Sequence, residues 1–142
     1  MFDTIQEIID YSNTHQKPLH EIMIEQEMQL RNMSYDEVMA MMQHNLDVMR
    51  DAVIKGTTGE GVKSVTGYTG GDAVKLKQYN TEHKALSGSD MIEAVTGAIA
   101  TNEVNAAMGV ICATPTAGSS GTIPGVLFKL EKTHDLTNEQ ML

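Results

Sequence analysis

A mostly α-helical fold is predicted, and three observations predict it. Apolar residues recur at steps of three and four rather than two. Several of these stretches open on residues placed to cap a helix. The apolar set holds 11 Met but only two Phe, four Tyr and no Trp. Sheets favour β-branched and aromatic side chains, whereas Met fills irregular gaps between helices. A length of 142 residues is enough for one compact domain and too short for two full ones.

The first helix is expected from about Asp3 to His15, with Ile5, Ile8, Ile9 and Ser12 on one side and Asp3 with Gln6 as its capping pair. Lys17-Pro18 breaks it. Pro18 suits the first position of the next helix, which carries Leu19, Ile22, Met23 and Met28 and ends near Asn32. Ser34-Tyr35-Asp36-Glu37 is a clearer capping box. Tyr35, Val38, Met39, Met42, Leu46, Met49 and Val53 then form one stripe of a long helix, widened by Met41 and Val48. Gly56 is its expected stop.

From Gly56 to Ser87 the composition changes. Gly at 56, 59, 61, 67, 70 and 71, mixed with Thr and Ser, predicts a long loop with a short helix from about Asp72 to Tyr79. Ser87 to Asp90 offers another cap. Met91 to Gly109 is rich in Ala and Gly, which lets helices approach closely, so it is expected to be central and buried. Asn102, Glu103 and Asn105 interrupt it with polar groups that need partners if buried. Thr114 to Gly125 is a second turn-rich stretch, and Gly125 to His134 reads as a helix with Val126, Leu127 and Leu130 apolar. Thr137-Asn138-Glu139-Gln140 is a capping box two residues before the last one, Leu142. A helix that short is not stable alone, so the natural protein is expected to continue.

Charge and composition exclude several classes. A net charge of −9, from 10 Lys+Arg against 19 Asp+Glu, leaves no basic face for nucleic acid or anionic membrane. Ten of the acids fall in residues 1–55, against four bases, as solvated helix faces do. Cys112 is the single cysteine, so neither an intrachain disulfide nor a Cys-based metal site can be built from this chain alone. No signal peptide and no apolar run long enough for a membrane span is legible, so a cytoplasmic location is expected. Residues 56–64 miss the phosphate-binding loop pattern, because Val62 separates Gly61 from Lys63 and a helix precedes them. His15, His20, His44, His83 and His134 show no zinc-binding spacing.

Three segments carry candidate chemistry. Thr69-Gly70-Gly71-Asp72-Ala73-Val74-Lys75-Leu76 places paired Gly before an acid and a helix, which makes a tight turn with free N–H groups. Its bland reading is an N-cap by Asp72. Ala100-Thr101-Asn102-Glu103-Val104-Asn105-Ala106-Ala107-Met108-Gly109 sets three polar side chains among small ones. Its bland reading is a structural hydrogen-bond network. Cys112-Ala113-Thr114-Pro115-Thr116-Ala117-Gly118-Ser119-Ser120-Gly121-Thr122-Ile123-Pro124-Gly125 gathers hydroxyls and Gly at a helix start, where a carboxylate can be gripped. Its bland reading is a helix connection.

These three segments, with His44-Asn45-Leu46-Asp47-Val48-Met49, resemble the α chain of the two-subunit, iron–sulfur-dependent L-serine dehydratases, in order along essentially the whole chain. The resemblance implies that residues 1–142 are the N-terminal part of one catalytic domain, its helical half with Gly/Ser/Thr-rich loops. It implies conversion of L-serine to pyruvate and ammonia. It also implies a 4Fe–4S cluster held by three cysteines, whose open iron acts as a Lewis acid on the serine hydroxyl. The family's cluster runs, Gly-Cys-Gln and Cys-Asp-Pro-Val-Ala-Gly, are not in this sequence, and Cys112 matches no cluster position. No metal ligand is therefore assigned, no cluster is expected on this chain, and the chain by itself is expected to be inactive. The implied partners are L-serine, the remainder of the α chain, the β chain and a second copy of the chain.

The expected substrate-binding residues are Gly71, Asp72, Asn102, Asn105, Thr114, Thr116, Gly118, Ser119, Ser120 and Gly121, with Glu103 as the candidate acid or base. Two other classes stay open: a non-enzymatic helical interaction module, and a pyridoxal-phosphate deaminase using Lys75 or Lys77.

Overall fold

The computed structural model of the chain describes residues 2–142. It is helical, with seven helices and no strand among the described residues: α1 Ile5–His15, α2 Leu19–Arg31, α3 Tyr35–Thr57, α4 Asp72–Glu82, α5 Ser89–Ala106, α6 Ser119–His134 and α7 Asn138–Met141. A lone antiparallel bridge joins Lys63 to Gly70. Two compact units divide the chain. The first ends at Gln43 and the second is His44–Leu142, so the boundary falls inside α3.

In the first unit the helices are closed by their own flanking residues. Thr4, not Asp3, caps α1: it is extended (φ −135°) and its hydroxyl accepts from the Glu7 N–H at 3.2 Å, while the Glu7 carboxylate accepts from the Asp3 N–H at 2.9 Å. The predicted Asp3–Gln6 pair is thus one residue out of register, and Gln6 instead donates to Asp10 at 2.8 Å. Pro18 is the cap of α2 rather than its first helical residue, because its ψ of 153° is extended. Gln16 and Asn32, both left-handed, end α1 and α2. The Ser34 box forms as predicted, with the Ser34 N–H donating to Glu37 at 2.8 Å and the Glu37 N–H donating to Ser34 Oγ at 3.3 Å. The bonds that the Ser34 N–H and then its hydroxyl donate to the Glu37 carboxylate hold that carboxyl below its ordinary value. Ile22 and Val38 are the buried aliphatic residues here.

The second unit is built on close backbone approach. Gly56 does not stop α3, which runs on to Thr57. A Cβ at Gly56 would lie 2.6 Å from the Ala100 Cβ, so this glycine lets α3 cross α5. The α5–α6 pair repeats the device: a Cβ at Gly97 would lie 2.9 Å from the Gly125 Cα, and one at Gly125 would lie 2.3 Å from the Ala94 carbonyl oxygen. Helix α6 therefore begins at Ser119 and carries Pro124 inside it, six residues earlier than composition suggests. Contact with α5 outweighs the poor helix propensity of Gly, Ser and Pro. Gly88, with no side-chain cap bond, opens α5 in place of the Ser87 cap. Helix α4 extends three residues past the predicted Tyr79.

Arg50 ties α3 to α6. It donates to both Glu131 oxygens at 2.7 and 2.8 Å and lies 4.6 Å from the Phe128 ring centroid. The single turn of α7 forms behind the predicted Thr137–Gln140 box, and its Met141 is buried. No helix among the described residues is long and apolar enough to cross a membrane.

Candidate functional site

The last two turns of α5 hold the centre of the candidate site. The sequence predicts a central, buried segment interrupted by three polar groups. Thr101, Glu103 and Val104 are buried, whereas Asn102 and Asn105 are exposed, because an amphipathic helix turns successive residues about 100° apart. The three polar groups therefore do different work.

Glu103 is 2% exposed. Its Oε1 accepts from the Asp72 N–H at 2.7 Å, so a carboxylate from α5 supplies the N-terminal cap of α4. Gly71, at φ 82° and without a side chain, leaves that capping position empty for it. Gly70 before it needs its φ of 129°, and a Cβ there would lie 2.0 Å from the Val62 carbonyl oxygen. The Asp72 side chain turns outward and accepts from the Lys75 ammonium at 2.9 Å. The other Glu103 oxygen, Oε2, is buried with no donor among the described residues.

Asn102 faces the other neighbour. Its amide atoms lie 3.0 Å from where a Gly121 Cβ would sit, in the first turn of α6. Gly121 is glycine because a side chain would strike that amide and the Ala98 carbonyl oxygen, 2.7 Å away. Just before this turn the hydroxyls form one cluster. Thr114 Oγ1 lies 2.5 Å from Ser119 Oγ and 3.0 Å from Ser120 Oγ, and it donates to the Thr116 carbonyl at 3.1 Å. The Thr116 N–H donates to Ser119 Oγ, and the Ser119 N–H donates back to Thr116 Oγ1, both at 3.1 Å. Gly118 is exposed beside them, with open space where a Cβ would be.

The structure therefore brings all three segments to α5. The 70–72 turn meets it at Glu103 and the 114–121 loop meets it at Asn102, one residue apart on two sides of the same turn. Asn105 makes no link between them in the described hydrogen bonds and stays exposed. The cluster of small hydroxyls at a helix start can grip an anion such as a carboxylate. The Glu103 carboxyl is half-satisfied, with Oε1 engaged and Oε2 without a donor among the described residues.

A cofactor has less to hold it. Cys112 is the single thiol of the chain, it is half-buried, and burial pushes its pKa up. Among the described residues no three His, Cys, Asp or Glu side chains are placed to hold a metal ion.

Sequence reasoning missed one feature entirely. A cavity of about 180 Å³ lies between α3, α4, α5 and α6, with Lys77, Lys129 and Lys132 at its edge. Its walls come from four helices far apart in the chain, so no local pattern marks it.

Comparison with known proteins gives the family. The chain is 49% identical over 142 residues to a probable L-serine dehydratase, alpha chain, of Bacillus subtilis (strain 168), covering all of this chain and 47% of that protein. It is 32% identical over 130 residues to the L-serine dehydratase, alpha chain, of Peptoniphilus asaccharolyticus, covering 89% and 43%. A probable L-serine dehydratase, alpha chain, of Latilactobacillus sakei is 60% identical over 52 residues, covering 37% and 25%. The chain thus spans about half the length of the two relatives it matches most fully. No solved structure matches. A family model described as serine dehydratase alpha chain matches residues 14–142, and with these identities it follows that the chain belongs to the serine dehydratase α-chain family.

Proposed function

We propose that this chain supplies the substrate cradle of an enzyme that eliminates water from L-serine and yields pyruvate and ammonia. One observation carries the reading: the three segments that bear the family resemblance, distant in sequence, converge on the last two turns of α5. In this proposal the hydroxyl loop of Thr114, Thr116, Gly118, Ser119, Ser120 and Gly121 seats the serine carboxylate at the start of α6. Asn102 and Asn105 present amides to the same opening. Gly71 and Asp72 shape its α4 side. Glu103 is the acid or base, with one oxygen fixed by the Asp72 N–H and the other free for a proton.

The residues present do not fit a 4Fe–4S cluster, since one thiol cannot replace three. The cluster is proposed for the complete enzyme, on protein beyond this chain, and no step here runs through it. The same proposal makes the remainder of an α chain, a β chain and a second copy the partners, in a cytoplasmic enzyme. Exposed Met91 and Val95 on α5, with Ile123, Val126 and Leu130 on α6, are apolar surface for such contacts. Light scattering on this chain should give a dimer, and a stable monomer would remove the second copy.

The deciding experiment is steady-state kinetics of the complete enzyme. Ser119→Ala should raise KM for serine by about tenfold, as loss of one hydrogen bond to a charged group does. Glu103→Gln should lower kcat by about 100-fold or more. Wild-type kinetics in both would overturn the site.

A further inference from the structure

We propose that the cavity between α3, α4, α5 and α6 binds a small monocarboxylate with a compact apolar body, at a site separate from the serine cradle. Three observations point to this ligand.

The first is shape and lining. Val53, Pro124 and Phe128 give the cavity apolar walls. Gly97 and Gly125, pressed together backbone to backbone, put no side chain into it. Arg50 over the Phe128 ring, itself held by Glu131, keeps that wall in place. The second is size. The volume is about 180 Å³. An engineered cavity of roughly 150 Å³ takes benzene, so a phenyl ring or a branched aliphatic chain fits. The third is charge. Lys129 and Lys132 at the edge are matched by Asp90 and Glu93, two bases to two acids. Lys77 has no carboxylate partner among the described residues. Its ammonium donates to the Thr57 carbonyl at 3.1 Å, which spends one of three N–H groups and none of the charge. One unbalanced cation beside an apolar hollow, on a chain of net charge −9, suits a single negative charge.

Serine does not fit this description. It has no apolar body, and its ammonium would meet Lys77. The site thus admits an effector, and an occupant would touch α5 and α6, the two helices that also frame the hydroxyl loop.

The test is calorimetry on the whole purified protein with its natural subunits, using phenylacetate and 3-methylbutanoate as probes and 2-phenylethylamine as a control of the same body and opposite charge. The carboxylates should bind in about the millimolar range, as expected for so few atoms, and the amine should not. Lys77→Gln, on the exposed rim, should weaken the carboxylates by about tenfold. Val53→Phe, which fills the hollow, should abolish their binding; circular dichroism checks that it folds. Equal binding of the amine, unchanged affinity in Lys77→Gln, or no heat at about 10 mM carboxylate would overturn the proposal.

Discussion

The two units of the chain are helical for different reasons. In residues up to Gln43, Thr4 and Ser34 cap α1 and α3 with their own side chains, Pro18 opens α2 without such a bond, and Gln16 and Asn32 close α1 and α2 in left-handed turns. In His44–Leu142 the caps of α4, α5 and α6 are Gly71, Gly88 and Gly118, none with a side-chain cap bond. There the helices are held by backbone contact at Gly56, Gly97, Gly121 and Gly125, and by the Arg50–Glu131 pair. The difference teaches that α1 and α3 carry their start signals locally, as the short α7 does with Thr137, while α4, α5 and α6 become readable only when they meet. The candidate site belongs to the second kind, since Glu103 caps α4 from α5.

Three substitutions break or sharpen this contrast. Gly125→Ala should do the most damage, because the new methyl would sit 2.3 Å from the Ala94 carbonyl oxygen and 2.8 Å from the Ala98 nitrogen. A loss of about 2–3 kcal/mol in denaturant unfolding is expected for such overpacking. A neutral outcome would mean that α5 and α6 do not lie this close.

Glu131→Gln comes next. Arg50, by its hydrogen bonds first and its charge second, holds the Glu131 carboxyl below the ordinary value of 4.5. A depressed folded pKa means that the stabilisation is present above about 4.5 and is lost as pH falls through the lower folded value. The substitution should cost about 1 kcal/mol at neutral pH, discounted because the pair is partly solvated. It should also flatten the fall in stability below pH 4.5. Glu93, lowered by Lys129 and Lys132, adds a second acid-sensitive group of the same sign, so the flattening should be partial. An unchanged acid profile would show the pair to be idle.

Ser34→Ala is the smallest. Loss of the cap should cost about 0.5–1 kcal/mol. Hydrogen exchange should place that loss at the start of α3, leaving α5 protection as it was. Equal loosening of α5 would erase the distinction between local and tertiary control.

Legibility followed distance along the chain. The long helix, the Ser34 box and the Thr137 box were readable because the deciding atoms are three or four residues apart. The start of α6 was not, because Gly, Ser and Pro read as loop until Ala94 and Ala98 are set against Gly125. Gly56 read as a stop for the same reason, with Ala100 invisible from its place in the sequence. Residues 102, 103 and 105 stood out as polar groups among small ones, yet only Glu103 proved buried, since nothing local says which side of α5 is covered.

By itself the sequence determined the helical class and the Ser34 and Thr137 boxes, which rest on periodicity or on neighbours within one turn, and it holds the three runs that carry the family resemblance. Only the tertiary structure decided that a carboxylate of α5 closes α4, that glycines weld α5 to α6, and that Lys77 is left unbalanced at the edge of a hollow. The reason is physical: hydrogen-bond capping acts over a few ångströms of contiguous chain, whereas burial, close approach and charge balance depend on which distant atoms arrive alongside.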